Sequence, residues 1–290
     1  MTQNSTVAEL IQASDETTLI NRAKDQPREF SDRHWFAAIK TGRLDICKTL
    51  VAAGVTPMKT RFDRTPLHFA ADFHKVDIIK WLLELGADPN RQDSDGYKPL
   101  DLAFEFSENE PSSVLVETLA KAGTEINIWT SIRIGDLNRC KTLLEIEPIL
   151  LEAPSDEIAL TPLMVAARMN RLEIAQFLIS SGADVNARST QLEDGSGHNA
   201  PLWFVAQGSR TERESMAKLL LINGAEVNLA GEFGWTALHM AAQWNHPKVA
   251  QILIEHKANT ECLDNEGSTP LEVAQKHESK GMIKFLSKLV

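Results

Sequence analysis

Thr65-Pro66-Leu67-His68-Phe69-Ala70-Ala71 decides the fold, because the chain says it again. It returns as Thr161-Pro162-Leu163-Met164-Val165-Ala166-Ala167, as Thr236-Ala237-Leu238-His239-Met240-Ala241-Ala242 and, cut short, as Thr269-Pro270-Leu271-Glu272. A second phrase follows two of these copies, as Gly86-Ala87-Asp88-Pro89-Asn90 and Gly182-Ala183-Asp184-Val185-Asn186, and returns as Gly224-Ala225-Glu226-Val227-Asn228 ahead of the third. Thr suits a helix N-cap, and Pro suits the first turn, where a missing N–H costs nothing. Apolar residues at helical spacing come next, Ile78, Ile79, Leu82 and Leu83 in one copy and Ile174, Ala175, Leu178 and Ile179 in another, and predict a second helix. Gly86, Gly182 and Gly224 stand where that helix ends. Between the helices the turn falls on Gly42, His74, Gly135, Asn170 and Asn245, residue types that tolerate positive φ. Self-similarity at this period marks a solenoid, which offers an extended face rather than one pocket.

The paired phrases resemble the ankyrin repeat. Eight units are placed over residues 32–290, with first helices starting near Arg33, Thr65, Lys98, Ile126, Thr161, Ala200, Thr236 and Thr269. The expectation is an all-α ankyrin-repeat solenoid with helical caps. The second, fifth and seventh units follow the family pattern closely. The fourth, near 126–158, lacks the Thr-Pro-Leu-His phrase and puts Glu147-Pro148 where Gly-Ala is expected, so coupling between neighbours is expected to be weakest there. Ile39 to Leu50 echoes Ile132 to Leu143, as though a three-unit block had been copied and the fourth unit were a former first unit. Residues 1–31 are not repeat-like and read as an N-terminal helical cap. Residues 269–290 read as the C-terminal cap, with Met282, Ile283, Phe285, Leu286 and Leu289 expected to be buried. Insertions stand at 107–113 and 189–199, and a longer inter-helix turn at 208–214.

Composition narrows the functions. The 290 residues are 43% hydrophobic and 24% charged, as in ordinary globular chains, and the net charge of −10 argues against binding nucleic-acid phosphates. The chain shows no apolar leader and no stretch long enough to span a membrane, so no membrane is expected and the expected location is cytoplasmic. Cys47 and Cys140 take the buried Val position of second helices, and Cys262 falls in a loop. No His-Glu-x-x-His, phosphate loop, Gly-x-Ser-x-Gly or Cys-x-x-Cys occurs. His68, Asp72 and His74 suggest a metal site, but His68 and His239 belong to the repeat phrase, where the resemblance implies hydrogen bonds between units. The chain is therefore read as a non-enzyme with no cofactor and no metal.

The residue before each inter-helix turn points, in the family, into a concave groove and is usually polar. Here it is Thr41, Phe73, Phe106, Ile134, Met169, Gly208, Trp244 and His277. Loop tips rimming the same groove add Phe62, Tyr97, Phe233 and Trp235. Lys40, Asp72, Glu105, Arg133, Arg168, Gln207 and Gln243 form a polar row beside them. Trp35, Trp81, Trp129 and Trp203 are assigned to the core. The expected partner-binding set is Phe62, Phe73, Tyr97, Phe106, Met169, Phe233, Trp235 and Trp244, since an exposed apolar stripe marks a binding surface. The expected role is a scaffold, monomeric when free, that holds another protein through a basic or apolar segment. Two alternatives stand beside it: an inhibitory or immunity-type protein blocking a toxin or enzyme, and a secreted effector or enzyme accessory.

Overall fold

A computed structural model describes residues 18, 21–22, 32–52, 63–105, 111–155, 159–190, 197–207 and 213–289. Among them stand sixteen α-helices and no strand. They are α1 (Asp32–Thr41), α2 (Leu44–Ala52), α3 (Pro66–Asp72), α4 (Val76–Glu84), α5 (Pro99–Glu105), α6 (Ser113–Lys121), α7 (Ile128–Ile134) and α8 (Leu137–Ile146). They continue as α9 (Pro162–Arg168), α10 (Leu172–Ser180), α11 (Pro201–Val205), α12 (Glu214–Ile222), α13 (Ala237–Gln243), α14 (Pro247–Glu255), α15 (Pro270–Lys276) and α16 (Lys280–Leu286). The helices come in hairpins. The chain divides into two compact units, Met1–Ile126 with α1 to α6 and Asn127–Val290 with α7 to α16. Within each unit, first helices pack on neighbouring first helices and second on second: α3 on α5 and α4 on α6 in one, α13 on α15 and α12 on α14 in the other. The proposed N-terminal cap lies almost wholly outside the described residues, as do most of the three inserted segments.

The repeated phrases do the local work read from them. Thr161 Oγ1 accepts from the Met164 amide at 3.4 Å, and Thr269 and Glu272 form a capping box. Asn127 substitutes in the fourth unit, its side chain accepting from Thr130 N at 2.9 Å. His74, Asn170 and Asn245 adopt φ of 55°, 55° and 59°, and Gly42 and Gly135 of 73° and 89°, so all five turns use the left-handed region. The last Asn of the second phrase staples one unit to the next. Asn186 Nδ2 donates to Gly224 O at 3.0 Å while its Oδ1 accepts from Glu226 N at 2.8 Å; Asn90 and Asn228 make the same pair of bonds one unit on.

The fourth unit shows where the pattern gives way. Pro148–Leu151 forms a 3-10 turn in place of the Gly-Ala stop, and Glu152 Oε1, accepting from Asp184 N at 2.7 Å, does the job of the missing Asn. Cys140 is the one residue that α8 buries, whereas α4 buries Ile78, Ile79 and Leu82. The division between the compact units falls at the start of this repeat. At the C-terminus α16 buries Met282 and Leu286 and half-buries Ile283 and Phe285, but Leu289 is exposed. Cys47 and Cys140 are buried as expected, and burial pushes both thiols up to about 12, which leaves them unreactive. Trp35 and Trp203 are core residues; Trp81 and Trp129 are half-buried.

His68 and His239 link units from the inside. In each the preceding Thr amide donates to Nδ1, at 3.1 and 3.2 Å, so Nε2 carries the proton and donates to a carbonyl of the next unit, Tyr97 O at 3.0 Å and Ser268 O at 3.2 Å. Burial pushes both imidazole pKa values below the ordinary 6.5. The folded chain thus keeps neutral two rings that the unfolded chain protonates. Their stability is fully present above about pH 6.5 and is lost as pH falls through the lowered folded values, at no more than about 1.4 kcal/mol per pH unit for each ring. The thermal midpoint followed by circular dichroism is expected to fall between about pH 7 and about pH 5. The fall should be shallower in the double variant His68→Gln/His239→Gln, and equal slopes would place the acid sensitivity elsewhere.

Candidate functional site

The sequence-predicted row lies along the ends and tips of the first helices, and the structure splits it. Trp244 caps the C-terminus of α13 and is 41% exposed. Phe233 sits on the tip before α13, 56% exposed, with φ 56°. A bulky side chain in the left-handed region is a genuine outlier, and here the tip around it is tightly held. Phe233 O accepts from Asn265 N at 2.9 Å, and a Cβ on Gly234 would meet Asn265 Oδ1 at 2.5 Å.

Trp235 has a second job that the sequence did not reveal. Its ring is half-buried, stacked on His239 with centroids 6.4 Å apart and edge-on to His277 at 6.3 Å. Its indole N–H donates to Asp264 Oδ2 at 3.0 Å. Asp264 is the keystone of the next tip, its other oxygen accepting from Glu266 N and Ser268 N. Burial opposes ionisation of Asp264, but those amides and the indole hold its carboxyl below the usual range. Arg64 stands at the same place in the second unit of the repeat, and its Nε donates to Asp93 Oδ2 at 2.9 Å. Trp235 therefore fills an Arg position while keeping its hydrogen bond.

Two predicted anchors are corrected. Tyr97 is 4% exposed, because its backbone closes the tip: Tyr97 N donates to Asp93 Oδ1, Tyr97 O accepts from His68, and the ring turns inward. Met169 is also 4% exposed, its flexible thioether taken up in the core of the second compact unit. Phe62 and Phe106 lie outside the described residues. In the polar row, Arg133 is buried rather than a surface charge, Asp72 is half-buried with its carboxyl pushed up by burial, and Lys40 is exposed.

Phe73 is half-buried, and it belongs to a cluster that the reading missed. Phe36 meets Phe69 edge-on at 5.2 Å and Phe73 at 5.4 Å, and Phe36 remains exposed at its rim. The signal was present, since Phe36 and Phe69 both lie on first helices, but the repeat phrase assigns those positions to packing. Each compact unit thus carries an aromatic group on its first-helix face. On the second-helix side, a concavity of about 300 Å³ opens beside the 3-10 turn of the fourth repeat, walled by Leu144, Pro148, Leu151 and Phe177. Lys141 Nζ lies 5.7 Å from the Phe177 ring centroid there.

Among the described residues no group of His, Cys, Asp and Glu is placed to hold a metal ion, and no helix is long and apolar enough to cross a membrane. Cys262 is half-buried, its thiol against Asn259 O at 3.0 Å and pushed up by burial.

The model of ankyrin repeats in three copies matches residues 4–93, 34–130 and 202–289, and the single-repeat model matches residues 160–190. The chain belongs to the ankyrin-repeat family. The first match begins at residue 4, inside the stretch read as a cap, and the matches leave 131–159 uncovered, where the fourth repeat departs from the pattern. "Putative palmitoyltransferase ZDHHC13" of Danio rerio is 29% identical over 79% of this chain and 31% of its own length. "Putative ankyrin repeat protein FPV031" of fowlpox virus (strain NVSL) is 30% identical over 44% of this chain and 36% of its own. "Transient receptor potential cation channel subfamily A member 1" of Homo sapiens is 33% identical over 45% of this chain and 11% of its own. The chain therefore spans less than two fifths of each of these relatives.

Proposed function

We propose that this chain is a non-enzymatic binding module that holds a partner protein on the first-helix face of its C-terminal repeats. The observation that carries the reading is the exposure of Trp244 and Phe233 on one repeat, Trp244 at the C-cap of α13 and Phe233 on the tip before it, where Trp235 packs edge-on to His277. Large aromatic side chains left in water are costly, and Trp is the residue type that most often dominates an interface. The positive φ of Phe233 adds to this, since strain of that kind is kept where a side chain must be presented. Phe73 with Phe36 and Phe69 offers a second patch in the N-terminal compact unit. Tyr97 and Met169 take no part.

Trp244→Ala is expected to weaken retention of the partner at least tenfold, about 1.4 kcal/mol or more, while the thermal midpoint stays within a degree or so. Affinity capture with quantitative mass spectrometry compares the wild-type chain, Trp244→Ala and Ile149→Ala, the last an exposed residue of the second-helix side. A partner lost with Ile149→Ala and kept with Trp244→Ala would move the binding surface to the other side of the repeats.

A further inference from the structure

On the second-helix side, the concavity of about 300 Å³ between the fourth and fifth repeats is lined by Lys141 and Glu145 as well as by Leu144, Pro148, Leu151 and Phe177. Leu144, Leu151 and Phe177 are only half-buried, so its apolar walls stay in contact with water. Lys141 and Glu145 are both exposed and stand one turn apart on α8, with Leu144 between them. Lysine ahead of glutamate is the weaker order for a pair at this spacing. Among the described residues neither charge has an ion-pair partner, and the Lys141 ammonium stands over the Phe177 ring instead.

One helix thus offers a cation, a leucine and a carboxylate in series beside an apolar hollow. A partner of single charge would be attracted by one end of this series and repelled by the other. A second copy of the same helix, run antiparallel across a two-fold axis, satisfies both ends. Two-fold contacts are reciprocal, so where Lys141 faces Glu145 of the second copy, Glu145 faces the lysine of that copy. The axis then passes close to Leu144, and the two leucines meet over the apolar walls. Four residues along a helix span about 6 Å, which keeps the like charges of the two copies a turn apart.

We propose that this chain forms a two-fold dimer through α8 and the concavity beside it, in place of the free monomer expected from the sequence. The occupant of the apolar concavity is a second copy of the chain. Two reciprocal ion pairs set the antiparallel register, and Leu144, Pro148, Leu151 and Phe177 supply the apolar area that is buried. The first-helix faces take no part in this contact. The dimer therefore presents each of them twice, and it holds a target with two binding segments more tightly than one copy does.

Sedimentation velocity of the full chain from about 1 to about 200 µM tests this, a range that covers interfaces of modest area. The expected result is a reversible shift from monomer to dimer mass. Lys141→Glu brings two carboxylates together at each contact, and Glu145→Lys two ammonium groups, so either variant alone should weaken the dimer about tenfold or more. Both positions are exposed, so the thermal midpoint should not move. The double variant Lys141→Glu/Glu145→Lys restores opposite charges and should return the dimer to within about threefold of the wild type. An equimolar mixture of the two single variants should form a heterodimer, since one copy then supplies both carboxylates and the other both ammonium groups. A chain that stays monomeric throughout the range overturns the proposal. A dimer indifferent to the single variants overturns it too, because it assembles through another surface. Loss in the single variants that neither the double variant nor the mixture repairs would exclude the antiparallel pairing and with it the proposal.

Discussion

Arg213→Ala is expected to lower the free energy of unfolding by about 3 kcal/mol or more, the largest effect of any single substitution considered for this chain. Arg213 is 3% exposed and stands at the N-cap of α12. Its Nη1 donates to Phe204 O at 3.0 Å and Val205 O at 2.9 Å, and its Nη2 to Arg168 O at 3.2 Å. These carbonyls end α11 and α9, two helices of adjacent repeats. The last carbonyls of a helix have no partner inside it, and they carry the negative end of its dipole. Truncation leaves such groups buried without their donor and adds a cavity. Urea unfolding of the wild type, Arg213→Ala and Arg213→Lys measures the loss. Lysine should restore only part of it, because one ammonium cannot reach three carbonyls on two helices. A loss below about 1 kcal/mol for the Ala variant would show that the guanidinium bonds are offset by the cost of burying the charge.

This arrangement recurs. Arg171, at the N-cap of α10, donates through Nε to Arg133 O at 3.1 Å, and Ser279, at the N-cap of α16, donates through Oγ to Gln243 O at 2.9 Å. In each case the residue that opens a second helix closes the first helix of the preceding repeat. None of it was legible in the sequence. Ser and Arg share no side-chain chemistry beyond a donor, and the acceptor is a backbone atom some forty positions away, so no motif records the pairing.

What could be read was local. Thr caps, Pro starts, Gly and Asn turns and the Asn of the second phrase act within a few residues or on the next copy of themselves, so their chemistry repeats with the chain. Among the described residues, the first helices of the helix pairs begin within two residues of where the phrases or their degenerate forms put them. Side-chain direction at the variable positions was not legible. Met169 and Trp244 hold equivalent places at the ends of α9 and α13, yet one is buried and the other exposed. Tyr97 and Trp235 hold equivalent places on their tips, yet one ring turns in and the other lies across His239. Register determines where a Cα stands, and size and flexibility then decide which neighbour the side chain covers. Arg133 makes the same point for a charged residue, since its place in the row implied water and its surroundings bury it.

Trp235→Ala is expected to destabilise the chain by about 2 kcal/mol, in contrast to the near-neutral Trp244→Ala. The sequence placed both tryptophans in one partner-binding row. The hydrogen bond to Asp264 adds to that for Trp235: truncation leaves a carboxylate oxygen of a buried residue without its donor and uncovers His239, whose ring the indole stacks on. Arg64 and Asp93 supply a control from within the chain, for they make the same link with a guanidinium. Trp235→Arg should therefore recover most of the stability lost in Trp235→Ala, measured as the urea midpoint. If it does, its behaviour in partner capture separates the two roles of this residue. A stable Trp235→Arg protein that retains its partner would reduce Trp235 to a strut between repeats and leave Trp244 and Phe233 to carry recognition. A stable one that loses its partner at least tenfold would make Trp235 part of the surface, its aromatic face replaced by a charged group. A Trp235→Arg protein no more stable than Trp235→Ala would contradict the equivalence of the two tips on which this reading of Trp235 depends.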